Sequence, residues 1–338
     1  MQLLFLIIIG ACLFLCDACR CDSKVSGVTK PSAQSVSAPG KNALRKGLHD
    51  TAKGDVSLHG ETLLERGESA YGTSLVVLGA EVLLLTQTAA IRLIGGEPAK
   101  TCALSLGPGP ALVDDSIVYF SDGAVRIVPR ENCESRVYGK LERPPMRFFS
   151  SNERWGWLHS EPSGAFALSA FHGKAARPLY QSAHAVTFTV GWSDSVFFIE
   201  KVMPDSWRIG RVPMLGGKAV FSSTRKGRTP SMLAPGDEGI YLYDGPSRTV
   251  RRLSLDLQYD RVLADKVICS PLAVSDRVIC ARLGAVYAIP DEGGVPRPIA
   301  TEVAGPIAAL AADERRVVWV VDTAEGQLAV RSQMLDPL

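Results

Sequence analysis

The chain has 338 residues, with 37 Lys and Arg against 35 Asp and Glu for a formal charge of +2, and 46% of its residues are hydrophobic. At roughly 150 residues per domain this is two domains or one large all-β domain. The near-neutral balance lacks the strongly basic footprint of a nucleic-acid partner, and the apolar content is too high for a chain disordered throughout.

Leu3 to Ala11 (LLFLIIIGA) is a nine-residue apolar block, the size of a signal-peptide core, and it is prolonged to Cys16. Even so extended, it is short of the ~20 residues needed to span a bilayer. Residues 1–21 therefore read as an export leader. The segment Ile9-Gly10-Ala11-Cys12 resembles the bacterial lipobox, which implies Cys12 as a lipidated mature N-terminus. Cleavage after Ala18, leaving Cys19 first, and a buried N-terminal strand are the alternatives. The expected address is export to the periplasm or cell surface, with membrane contact through the acyl chain. Residues 22–54 change character, with Ser, Pro, Gly, Ala and Lys dominating and no period of 2 or 3.6. Such a segment has too little apolar surface to repay ordering and reads as a linker.

Four of the eight cysteines fall in the leader, which leaves Cys102, Cys133, Cys269 and Cys280 for the folded part, residues 55–338. An even number in an oxidising compartment predicts disulfides. Cys269 and Cys280 flank a turn at Ser275-Asp276 and come within about one residue of register. Cys102 and Cys133 are placed to tie adjacent outer strands. Four unpaired buried thiols are the alternative.

From residue 75 onward a short apolar strand, a tight polar turn and a second strand recur. The second strands begin at Val82, Val118, Trp155, Val196, Ile240, Val278 and Val318, in steps of 36, 37, 41, 44, 38 and 40 residues. Turns such as Asp114-Asp115, Ser193-Asp194 and Asp313-Glu314 precede them, where Asp, Ser and Gly tolerate positive φ or bond to nearby backbone. A third strand often ends in a Gly pair, as at Gly95-Gly96, Gly216-Gly217 and Gly293-Gly294. The apolar runs are short and rich in β-branched and aromatic residues, which argues against helical repeats. Four strands per repeat of this length predict an all-β fold, a seven-bladed β-propeller. The seventh unit lacks a fourth strand, and Val56–Leu64 lies one period before the fourth strand of the first unit. That N-terminal strand is expected to close the last blade beside Leu328–Ser332, since an unclosed ring exposes strand edges.

Tyr119-Phe-Ser-Asp122, Tyr241-Leu-Tyr-Asp244 and Trp319-Val-Val-Asp322 resemble the YWTD motif of receptor propellers. With the Gly-pair turns, the chain is similar to exported bacterial β-propeller lipoproteins with degenerate repeats. The resemblance implies the fold and a structural role for Asp122, Asp244 and Asp322. It implies no activity.

In a propeller the loops joining second to third strands, and blade to blade, share one rim, the usual place for ligands. There the sharpest cluster is Arg225, Lys226 and Arg228, joined across the funnel by Arg143 and Arg147. Guanidinium forks bind carboxylate or phosphate bidentately, so an anionic ligand or an acidic protein patch of the envelope is the expected partner. A merely solvated basic loop is the plain alternative. A second set, His159, Glu161, His184 and Glu200, lies toward the same rim and offers imidazoles and carboxylates for a divalent metal. It underlies an alternative reading as a metal-dependent hydrolase or lyase. The sequence contains no G-x-S-x-G, G-x-x-x-x-G-K-[ST] or H-E-x-x-H motif. The leading expectation is a non-catalytic binding or scaffold module that needs no cofactor.

Overall fold

The computed structural model describes residues 61–66, 73–95, 97–107, 109–151, 153–173, 175–230, 232–282, 284–301, 303, 305–323 and 327–335. Among them there is no helix, and so none long and apolar enough to cross a membrane.

Among the described residues the first strand is β1 (Glu61–Arg66). Blade one is β2 (Ser74–Leu78), β3 (Glu81–Leu85), β4 (Ala89–Ile94) and β5 (Glu97–Ala103). Blade two is β6 (Ala111–Val113), β7 (Ser116–Ser121), β8 (Ala124–Pro129) and β9 (Arg136–Lys140). Blade three is β10 (Arg147–Ser151), β11 (Arg154–Ser160), β12 (Phe166–His172) and β13 (Ala175–Ser182). Blade four is β14 (Ala185–Trp192), β15 (Ser195–Met203) and β16 (Ser206–Pro213), with its outer strand split into β17 (Val220–Phe221) and β18 (Arg225–Lys226). Blade five is β19 (Met232–Gly236), β20 (Gly239–Asp244), β21 (Thr249–Leu253) and β22 (Asp260–Ala264). Blade six is β23 (Leu272–Val274), β24 (Val278–Arg282), β25 (Ala285–Ile289) and β26 (Arg297–Thr301). Blade seven is β27 (Ile307–Ala312), β28 (Arg316–Asp322) and β29 (Leu328–Met334), completed by β1. All seven expected second strands are present, as β3, β7, β11, β15, β20, β24 and β28.

Within a blade, neighbouring strands pair antiparallel through tight hairpins. Ser193 and Asp194 show why the sequence permits this. Both have positive φ, 47° and 58°, between the paired ends Trp192 and Ser195. That twist matches the flanking strands, and Asp tolerates it because its side chain is short and polar.

The second strands explain how the blades stack. Successive residues point to opposite faces of a sheet, and here both faces are covered. Val82 and Leu84 join Val318 and Val320 of blade seven, while Leu83 and Leu85 join Ile117 and Tyr119 of blade two. Val118 then meets Trp155 and Trp157, Leu158 meets Val196 and Phe198, and Phe197 and Ile199 meet Ile240 and Leu242. Tyr241 and Tyr243 meet Val278 and Cys280, and Ile279 and Ala281 meet Val317 and Trp319. One apolar cluster thus fills each gap, and the seventh returns to the first. Each fully buried side chain of this size contributes roughly 1.5–3 kcal/mol. Gly191 on β14 lets the inner strands of blades three and four close up, since a Cβ there would lie 1.9 Å from the Ser150 carbonyl oxygen.

Closure follows the expected pairing. β1 pairs β29 antiparallel, from Glu61 opposite Ser332 to Arg66 opposite Leu328. The described strand, Glu61–Arg66, covers the end of the expected Val56–Leu64 and runs two residues beyond it; residues 56–60 lie outside the described residues. Both disulfides form. Cys102–Cys133 joins blade one to the loop between the third and fourth strands of blade two, with Cα atoms 5.2 Å apart. Cys269–Cys280 lies inside blade six, with Cα atoms 4.9 Å apart. Its register differs from expectation: Leu272 opposes Cys280, and Cys269 reaches its partner from ahead of β23. The chain there contains a cis Ser270-Pro271 bond, and Ser270 and Ala281 are joined through the Ser270 N–H and the Ala281 carbonyl.

Candidate functional site: the loop-bearing rim

The antiparallel order puts the second-to-third hairpins and the blade-to-blade loops on one rim and the first-to-second turns on the other. The basic loop belongs to the former. Arg225 and Lys226 pair with Trp207 and Ser206, at the start of the third strand of blade four. Arg225 is not a free cation. Its Nη2 donates to Asp260 Oδ2 at 2.5 Å and its guanidinium lies 5.4 Å from the Trp207 ring centroid. Arg251 donates to the same carboxylate at 2.7 Å. Burial works against ionisation of Asp260, but Arg251 and Arg225 outweigh it and hold the carboxyl below its ordinary range. Lys226 and Arg228 are exposed, and neither has a carboxylate partner among the described residues.

The other two arginines also differ from one another. Arg143 donates to the Ser160 carbonyl at 3.3 Å and forms a short ion pair with Glu161. Arg147, at the head of β10, is half-buried, and its Cζ lies 5.0 Å from the Phe188 ring centroid. Of five candidate cations, two are neutralised, one is half-buried beside an aromatic ring, and Lys226 and Arg228 face solvent.

The His and Glu set falls into two separate groups. His159 Nε2 is 3.2 Å from Ser169 Oγ and its Nδ1 is 3.6 Å from Glu161 Oε1. Burial lowers the His159 pKa; Glu161 pulls it up and Arg143 down, leaving a net fall. The chain of Ser, His and Glu has the order of a nucleophilic relay, but Ser169 is buried, at 7% exposure, between the sheets of blades two and three. Glu200 is fully buried. It accepts from the Tyr180 hydroxyl at 2.7 Å, from Arg208 Nε at 2.6 Å, and from Ser182 through a short bond. Burial alone raises its pKa, yet the three donors bring it below the ordinary value. Burial and the neighbouring carboxylate push Tyr180 up to about 12. His184 is exposed, and its backbone N–H donates to Ser182 Oγ at 2.9 Å. No three His, Cys, Asp or Glu converge on a metal position among the described residues.

The turn-bearing side carries a feature that no sequence signal announced. A cavity of about 1200 Å³ is walled by inner-strand residues Leu75, Val77, Trp192, Leu272, Val274 and Leu310, with Asp237, Asp276 and Asp313 from the turns. The inner strands are apolar and nearly free of charge, as the repeat implies, but the space they enclose depends on how the blades are arranged and not on any motif.

No family model and no curated protein matches the sequence. Similarity is found among solved structures. A puromycin-hydrolysing peptidase of Mycobacterium tuberculosis superposes with TM-score 0.56 at 14% identity, covering 82% of this chain and 56% of that one. The AfRom2 CNH domain gives TM-score 0.52 at 10% identity, covering 84% and 98%. A structure of Saccharomyces cerevisiae Dbp5 bound to Nup159 and Gle1 gives TM-score 0.50 at 10% identity, covering 82% and 94%. At such identities the likeness is one of fold. By its own seven sheets, residues 61–335 form a seven-bladed β-propeller.

Proposed function

We propose that this chain is an exported, non-catalytic binding or scaffold module of a bacterial envelope, which recognises an anionic partner on its loop-bearing rim. The observation that carries the reading is the contrast within the basic loop. Arg225 is bound to Asp260, while Lys226 and Arg228 beside it are exposed, with no carboxylate partner among the described residues. A fixed neighbour limits how far a loop can wander, which favours recognition over simple solvation. Two disulfides support an oxidising address. A place among exported propeller lipoproteins with YWTD-like repeats, and acylation at Cys12, belong to the same proposal; Cys12 lies outside the described residues.

The test is crosslinking in cells from a photoreactive residue at Gly227, with and without the double substitution Lys226→Ala and Arg228→Ala. An adduct that disappears in the double variant, with an unchanged melting temperature, is expected. An identical adduct pattern in both proteins counts against the basic loop. Mass analysis of the mature N-terminus addresses the lipid: a diacylglyceryl Cys12 is expected, and an unmodified residue removes the anchor.

A further inference from the structure

Arg147 stands apart from every other cation on the rim. Its stem is held against Gly109, where a Cβ would lie 3.3 Å from both Cα and Cγ of Arg147. Its guanidinium lies over Phe188, and no hydrogen bond or carboxylate partner engages it among the described residues. Its side chain is half-buried, yet none of its nitrogens is both enclosed and unsatisfied, so the N–H edge stays open for an acceptor from outside the chain. Burial accordingly lowers its pKa.

Phe188 is brought there by an irregularity. The pairing of β14 with β15 passes from Val186 opposite Glu200 to Thr189 opposite Phe198, so Thr187 and Phe188 together oppose Ile199. A bulge of this kind re-aims side chains and is common beside binding sites. It leaves Thr187 exposed and Phe188 half-buried at the upper end of the inner strands of blades three and four.

We infer that Arg147, with Phe188 behind it and Thr187 on the same bulge, is the anchor of a carboxylate-binding subsite at the mouth of the central channel. A guanidinium backed by an aromatic ring keeps its planar N–H edge for a bidentate acceptor. One unpaired positive charge matches one carboxylate; a phosphate dianion needs a second cation, and Arg143 beside it is already bound to Glu161. The inference deepens, and rests on, the reading of this rim as an anion-recognising face.

The experiment is titration of the full chain with benzoate, followed by ligand-observed NMR, and with inorganic phosphate as the second arm. Saturable benzoate binding, tighter than that of phosphate, is expected. Arg147→Met and Arg147→Lys each weaken it about tenfold or more, the scale of one charge-assisted hydrogen bond. Arg147→Met also melts no lower than the native chain, because no acceptor within the described residues loses its donor. Absence of saturable benzoate binding, tighter phosphate binding, or native affinity in Arg147→Lys overturns the assignment; the Lys variant keeps the charge and covers the case in which the Met variant does not fold. Loss of the crosslink in the Lys226→Ala, Arg228→Ala protein without benzoate binding in the native chain leaves the rim reading standing and removes the subsite alone.

Discussion

Glu200 shows how one buried charge can organise an interface between blades. Tyr180 and Ser182 reach it from blade three, and Arg208 from the strand beside its own, stacked 3.7 Å over the Phe221 ring. Removing one member of such a pair strands the other, typically at a cost of about 3–5 kcal/mol. Glu200→Ala is therefore expected to lower the melting temperature more than the double change Glu200→Gln, Arg208→Met, as read by thermal denaturation at pH 7. The pH dependence has a definite sign. A carboxyl whose folded pKa lies below its unfolded value of about 4.3 stabilises fully above that value. The contribution is lost as pH falls through the folded pKa. Glu200→Gln should thus flatten the fall in melting temperature below about pH 4, and an unchanged acid profile would contradict the donor network. His159, whose pKa is lowered, stays neutral at pH 7.

At the scale of elements, the two covalent and non-covalent closures make separate predictions. Cys102–Cys133 spans 31 residues and ties blades one and two, so its loss should cost about 3–4 kcal/mol by restraint of the unfolded chain. Chemical denaturation of Cys102→Ala, Cys133→Ala against the native chain measures this. Deleting Glu61–Arg66 should be far more severe. It uncovers the edge of β29 and part of the cluster on which Leu64 packs, and size-exclusion chromatography should show aggregation rather than a monomer.

The sequence made the second strands legible because their residues are apolar on both faces, a pattern that outer strands such as β5 and β13 lack. The closing strand was legible through its phase in the repeat, though not its limits. The Cys269 register was misjudged because a bend ahead of β23, not the hairpin alone, positions the sulfur. The pairing of Arg225 with Asp260 was invisible, since the two stand 35 residues apart on neighbouring blades. Arg147 was legible as a cation, while its isolation was not: that depends on the bulge at Thr187 and on Arg143 having turned to Glu161.

For the molecule as a whole, the seven apolar clusters have no residue in common, yet every second strand serves two of them, one on each face. Loss of one blade strips both neighbours, which predicts a single cooperative transition. Tryptophan fluorescence reports on blades three, four and seven, through Trp155, Trp157, Trp192, Trp207 and Trp319, and far-UV circular dichroism on all sheets. The two curves should coincide in denaturant; two resolved midpoints would show that part of the ring melts independently.

The clasp between β1 and β29 has a mechanical meaning as well. Its hydrogen bonds lie across the strand direction, so a pull on β1 along its own length strains the rungs together instead of one after another. A propeller fastened in this way resists being unzipped from its closing strand.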